Sequence, residues 1–121
     1  MITVMALAAA LLVAGLAAAG PAQARTCTLS TEGYRSLGPT YVFPYKVKGV
    51  SCKKGKRVIR AFHKCRYAKP KGGLRGRCTS RVNGFRCKEG RRSGIKGVQY
   101  DANVTCKRGG ARVRHHYQQS Y

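Results

Sequence analysis

Three histidines, His63, His115 and His116, and three acids, Glu32, Glu89 and Asp101, are the chain's whole stock of ordinary acid–base groups. A small ribonuclease needs a histidine, a second acid–base group and a cation on the phosphate. His116 with Arg112 or Arg114 supplies such a set on one strand face, with Glu89 or Asp101 as the base. His115 and His116 are adjacent, so on a strand they point to opposite faces and cannot share one substrate. His63 lies beside Phe62 on a helical segment. The plainer reading makes all three surface or interfacial histidines with no catalytic part. The chain contains no Gly-x-Ser-x-Gly elbow, no phosphate-binding glycine loop and no calcium loop. His63-x-Cys65 lacks a second pair at zinc spacing, so no metal or cofactor is expected.

The basic residues are the stronger signal. Lysine and arginine number 25 against three acids, for a formal net charge of +22. Lys53, Lys54, Lys56, Arg57, Arg60 and Lys64 cluster on one helical segment. Lys69, Lys71, Arg75, Arg77 and Arg81 line a loop, and Lys107, Arg108, Arg112 and Arg114 surround a turn. A charge run is usually a solvated face, and arginine-rich codon usage would account for part of this one at most. The scarcity of acids and the abundance of lysine go beyond what solubility requires. Such a surface binds polyanions by counterion release, with little sequence selectivity. The expected site is the helical cluster from Lys53 to Lys64 together with Lys107, Arg108, Arg112 and Arg114. The expected partners are anionic polymers: cell-wall polymers, nucleic acid or anionic lipid head groups. The seven tyrosines offer stacking surfaces for bases or sugars. Lys53, Lys54, Lys56 and Arg57 crowd a helix start, where the dipole disfavours cations and free amides favour a bound anion.

The compartment follows from the N-terminus and the cysteines. Ile2 to Ala19 is an uncharged apolar run, Gly20 and Pro21 break it, and Ala22-Gln23-Ala24 places small residues where a signal peptidase reads. Residues 1–24 are expected to be a signal peptide cut before Arg25; a retained anchor and a lipoprotein are the alternatives. All the Lys, Arg, Asp and Glu residues lie in 25–121, which reads as one domain with 25–39 as an N-terminal arm. The expected location is secreted or wall-associated, with no membrane-spanning segment after cleavage. Cys27, Cys52, Cys65, Cys78, Cys87 and Cys106 are even in number, and an exported chain meets an oxidising compartment. Three disulfides follow, each stabilising by about 2–4 kcal/mol. Cys65 and Cys78 flank a glycine-rich loop, and a local bridge between them would close it. The other four cysteines allow three pairings; the preferred one is Cys52 with Cys87, leaving Cys27 with Cys106.

The elements that must carry these groups are short. Tyr41 to Val50 has strand composition, with Pro44 placing it at an edge or starting it after the proline. Ser51 can cap a helix over Cys52 to Arg66, whose Val58, Ile59, Phe62 and Cys65 form one apolar stripe. Gly84 to Lys88 is a short strand, and Glu89 to Gly94 a turn-rich connection. Val98, Tyr100, Ala102, Val104 and Cys106 alternate with polar residues. After Arg108-Gly109-Gly110, Ala111, Val113, His115 and Tyr117 alternate again, so the two runs make a hairpin. The predicted fold is α+β: one amphipathic helix packed on an antiparallel sheet of three to four strands, stapled by disulfides.

Gly49-Val50-Ser51-Cys52, the basic amphipathic segment, Gly84-Phe85-Arg86-Cys87 and Val104-Thr105-Cys106-Lys107-Arg108-Gly109 form an ordered set. From Tyr41 to Tyr117 it resembles small exported domains common in high-GC actinobacteria. The resemblance implies a four-cysteine core of Cys27, Cys52, Cys87 and Cys106, with Cys65 and Cys78 as an addition. Members more often read Ser-Cys-Ala-Thr-Ala where this chain has Ser51-Cys52-Lys53-Lys54-Gly55. The family implies no particular activity. The residues themselves favour a non-enzymatic cationic module on anionic envelope polymers. The alternatives are a secreted inhibitor or antimicrobial-type effector with a protein or membrane target, whose charge only steers encounter, and, last, the ribonuclease.

Overall fold

The structure, a computed structural model, describes residues 23–68 and 73–121. The expected signal peptide lies outside the described residues except for Gln23 and Ala24, as do Lys69 and Lys71. One helix packs against one face of a seven-stranded antiparallel sheet, so the chain is a small α+β domain. The sheet has more strands than the three or four expected.

Its centre is the predicted hairpin: β6 (Gln99–Arg108) and β7 (Ala111–Ser120) pair along their full length, turning through Gly109-Gly110. Alternation holds within both strands; Val98, expected to begin it, is exposed in the turn before β6. Tyr100, Ala102, Val104 and Cys106 face inward from β6, and Val113, His115, Tyr117 and Gln119 from β7. β2 (Tyr41–Val42) and β3 (Tyr45–Lys48) share the free edge of β7, and β1 (Arg25–Cys27) pairs outside β3. Phe43-Pro44 separates β2 from β3, because proline has no N–H for the ladder. On the other side, β4 (Arg86–Glu89) and β5 (Ser93–Ile95) share the edge of β6.

Two strands come from segments read as irregular. β1 belongs to the expected arm, which is tied down instead: its three residues pair with β3, and Leu37 is buried further along the segment. β5 falls partly in the expected turn region. Gly94 makes it possible, since its φ is +149° and a Cβ there would lie 2.4 Å from the Gln99 carbonyl oxygen.

Helix α1 (Cys52–Tyr67) starts as expected, with Lys54 N–H donating to Ser51 Oγ at 3.0 Å. Val58, Ile59 and Phe62 are buried against the sheet. Gly55 lets the helix approach β3 closely, for a Cβ there would sit 2.5 Å from Val47 Cγ1.

Three disulfides close the structure. Cys65–Cys78 is the expected local bridge. The other two are Cys27–Cys52 and Cys87–Cys106, which corrects the preferred Cys52–Cys87 and Cys27–Cys106 pairing. The sheet register explains it. Cys87 lies directly opposite Cys106 across β4 and β6. Pairing of β1 with β3 puts Cys27 opposite Tyr45, whose hydroxyl donates to the Cys52 carbonyl.

A candidate anion-binding face and the network behind it

The period of two that buries one face of the sheet presents the other to solvent. On that open face Arg86 of β4 is opposite Lys107 of β6, Lys107 is opposite Arg112 of β7, and Arg112 is opposite Lys48 of β3. Four cations thus stand in one cross-strand row, with neighbouring Cβ atoms roughly 5 Å apart. The next row runs Lys88, Thr105, Arg114, Lys46, Thr26. It lies about 7 Å away along the strands. Among the described residues none of these cations is in an ion pair; the pairs join Arg77 and Arg92 to Glu89, and His116 to Asp101. Two shallow hollows mark the face. One of 150 Å³ is lined by Lys46, Lys48, Arg112 and Arg114, and one of 190 Å³ by Lys46, Asn103, Arg114 and His116.

The same face continues into an aromatic strip. Tyr34 stacks on Tyr41 with centroids 5.0 Å apart, Phe43 meets Tyr41 edge-on at 4.8 Å, and Phe43 leans on His116 at 4.9 Å. His116 Nδ1 lies 2.9 Å from Asn103 Oδ1, and its Nε2 lies 3.5 Å from Asp101 Oδ2. The residues considered for ribonuclease chemistry are therefore partly assembled: His116, Arg112, Arg114 and Asp101 share this face. Glu89 does not. Its side chain is 8% exposed on the other face, paired with Arg92 and Arg77 and accepting from the Tyr117 hydroxyl.

The ten cations expected to bind anions do not form one patch. Lys107, Arg112 and Arg114 lie in the rows. Arg108 faces the other way, its guanidinium 4.7 Å over the Phe85 ring and donating to the Asn83 carbonyl. Lys53, Lys54, Lys56, Arg57, Arg60 and Lys64 ride on α1, on the side of the sheet opposite the rows. Sequence reading missed Lys46, Lys48, Arg86 and Lys88.

Behind the sheet the structure holds a polar network that the sequence reading did not anticipate. Arg66 is fully buried, and all five of its N–H groups donate: Nε to His63 Nδ1, one terminal nitrogen to the Leu74 carbonyl and the Tyr100 hydroxyl, the other to the Tyr67 hydroxyl and Gln119 Oε1. Its guanidinium also lies 4.7 Å over the Tyr117 ring. Arginine only donates, so His63 Nδ1 is an acceptor and its proton is on Nε2. That proton points to His115 Nε2 at 2.9 Å, which leaves the His115 proton on Nδ1, buried without a partner. Both imidazoles are neutral. Burial, then His115 and Arg66, hold His63 well below its usual 6.5; burial, then Arg66 and His116, lower His115 to about 3. Burial and the bond to Glu89 raise Tyr117. The histidine expectation is met for His116, which is partly exposed, and corrected for His63 and His115, which are core residues. One available signal was phase. Arg66 stands four residues after Phe62, on the buried stripe, and His115 shares its alternation with Val113 and Tyr117.

Among the described residues no group of three His, Cys, Asp or Glu side chains is placed to hold a metal ion. The chain matches no protein-family model, no curated protein and no solved structure.

Proposed function

We propose that the protein is an exported, non-enzymatic module that binds extended anionic polymers of the cell envelope on the open face of its sheet. The observation that carries this is the row Arg86–Lys107–Arg112–Lys48 beside Lys88, Arg114 and Lys46. Like charges directly opposite one another destabilise a sheet, so this arrangement works against the fold unless an anion occupies it. A rigid two-dimensional grid suits a repeating polyanion better than a single small ligand. The strip Tyr34–Tyr41–Phe43 at its end supplies ring surfaces for the sugars or bases of such a polymer. Export, with cleavage after Ala24, is supported by the apolar N-terminus and by three disulfides, which belong to an oxidising compartment. The cations of α1 serve as a diffuse field that speeds encounter.

The test compares two triple variants. Lys107→Gln/Arg112→Gln/Arg114→Gln removes part of the grid; Lys53→Gln/Lys54→Gln/Lys56→Gln removes the helix start. Binding to heparin and to wall teichoic acid is titrated across a salt series. The grid variant is expected to bind more weakly and to lose up to about 0.7–0.9 of log–log salt slope per contact removed. The helix variant should change both quantities less. Unchanged affinity and slope in the grid variant would overturn the assignment of the face. A partner bound with little salt dependence would point instead to a shape-specific protein target.

A further inference from the structure

Five large hydrophobic side chains stand exposed among the described residues: Phe43, Leu74, Ile95, Val98 and Tyr121. Phe43 belongs to the aromatic strip. The other four gather at the opposite end of the β6–β7 hairpin from its turn. Ile95 and Val98, 59% and 54% exposed, flank the Lys96-Gly97 turn that joins β5 to β6. Tyr121 is held against them by its N–H donating to the Val98 carbonyl at 3.0 Å. Leu74 is fixed nearby, its carbonyl accepting from the Tyr100 hydroxyl at 2.6 Å.

The tip is basic as well as apolar. Beside it opens a cleft of 780 Å³ lined by Arg75, Arg91, Arg92, Lys96, Tyr100 and Tyr121, among other residues, and containing no acid. Arg92 is committed to Glu89 and to the carbonyls of Arg75 and Gly76. Arg75, 4.5 Å over the Tyr121 ring, Arg91 and Lys96 are exposed. Apolar side chains on a projecting turn, with cations and a tyrosine set behind them, match the layering of a lipid surface. Aliphatic groups enter the acyl boundary there, and cations and tyrosine stay at head-group level. Ile95 lies on the wall of the cleft, and Leu74 and Val98 stand outside it, so the apolar groups follow the turn and its rim rather than the cleft alone.

We infer that this tip docks on anionic phospholipid, with Ile95 and Val98 entering the acyl boundary and Arg75, Arg91 and Lys96 on the head-group phosphates. The surface lies at the far end of β6 from the cation rows, so it does not depend on the polymer face. A molecule with both would hold an envelope polymer against a membrane.

The chain has no tryptophan, so Val98→Trp reports from the tip alone. It is mixed with vesicles of phosphatidylcholine, or of phosphatidylcholine with phosphatidylglycerol. The expected result is a blue shift with the anionic vesicles only, and quenching by lipids brominated on the acyl chain. In co-sedimentation, Ile95→Ser/Val98→Ser should partition at least about tenfold more weakly into anionic vesicles. Its heparin binding should be unchanged, and Phe43→Ser should partition like the parent. Every variant carries the same N-terminus, so the difference reads the tip. Co-sedimentation without a blue shift means adsorption through another face and overturns the proposal. So does an unchanged partition of the double serine variant, or no binding to anionic vesicles; the last would leave a protein partner for the tip.

Discussion

Arg114 and His115 are neighbours in the chain and lie on opposite faces of β7, where positive charge is handled in two different ways. On the inner face Arg66 meets five neutral acceptors and the ring of Tyr117, and the two histidines beside it stay neutral. Among the described residues every buried side-chain nitrogen and oxygen of that face but His115 Nδ1 is answered from within the fold. On the outer face Arg112 and Arg114 meet lysines across the strands and no acid. A buried charge must be satisfied internally or the fold fails, while an exposed charge can be left for a partner to satisfy. The two faces therefore predict opposite responses to the same kind of substitution.

Removing the inner charge should have the largest effect. Arg66→Ala strands several buried acceptors and opens a cavity, and is expected to lower stability by about 3–5 kcal/mol. Urea denaturation with the disulfides intact measures it. If the alanine variant does not fold, Arg66→Lys keeps the charge with three donors and should lose a smaller amount. A loss below about 1 kcal/mol would mean that the network is not what seats α1 on the sheet.

Acid should open the same face without any substitution. His63 and His115 are neutral when folded and titrate near 6.5 when unfolded. Below that value the unfolded chain takes up protons that the folded chain refuses. Stability is thus full above about 6.5 and falls as the pH drops, continuing for His115 until its folded value near 3. One pH unit below 6.5 the loss from His115 is roughly 1 kcal/mol, and His63 adds to it with the same sign. Melting temperature against pH follows it, and His115→Gln should make the slope shallower. A flat profile between pH 7 and 5 would show that the pair accepts a proton while folded, and the inner face would then resemble the outer one.

Much of the frame that carries both faces was legible in the sequence, and what was not had a physical reason. The β6–β7 hairpin, the Ser51 cap and the Cys65–Cys78 loop are local: ten-residue alternation, one hydroxyl before an apolar stripe, and two cysteines around glycines. β1 and β5 are three residues long, too short to show a period, and owe their conformation to their neighbours. The bridges Cys27–Cys52 and Cys87–Cys106 depend on strand pairings that no local signal reports. Arg112 and Arg114 could be placed on one face from alternation alone. Their partners Lys46, Lys48, Arg86 and Lys88 come from strands distant in the chain, so the grid emerges only once the sheet order is known. Arg66 had the right phase, but a charge on an apolar stripe reads as solvent-facing until five acceptors are seen around it.

The smallest effect gives the sharpest comparison, because its sign is opposite to that at Arg66. Arg112 is flanked across the strands by Lys107 and Lys48. Each like-charge pair on a sheet costs a few tenths of a kcal/mol up to about 1. Arg112→Gln keeps a long polar side chain and removes two such repulsions at once. It should therefore raise the melting temperature at low ionic strength, by an amount worth about 0.5–1 kcal/mol. Salt should erase the gain, since exposed charges are screened within roughly 10 Å at 0.1 M. Saturating heparin should reverse it, because a ligand that binds only the folded state stabilises in proportion to its affinity, and the parent binds more tightly. Thermal melts in low salt, in high salt and with heparin read all three signs. If Arg112→Gln instead destabilises the protein at low salt, the arginine is held by contacts within the fold. The outer face would then be a second structural network and not the polyanion site proposed.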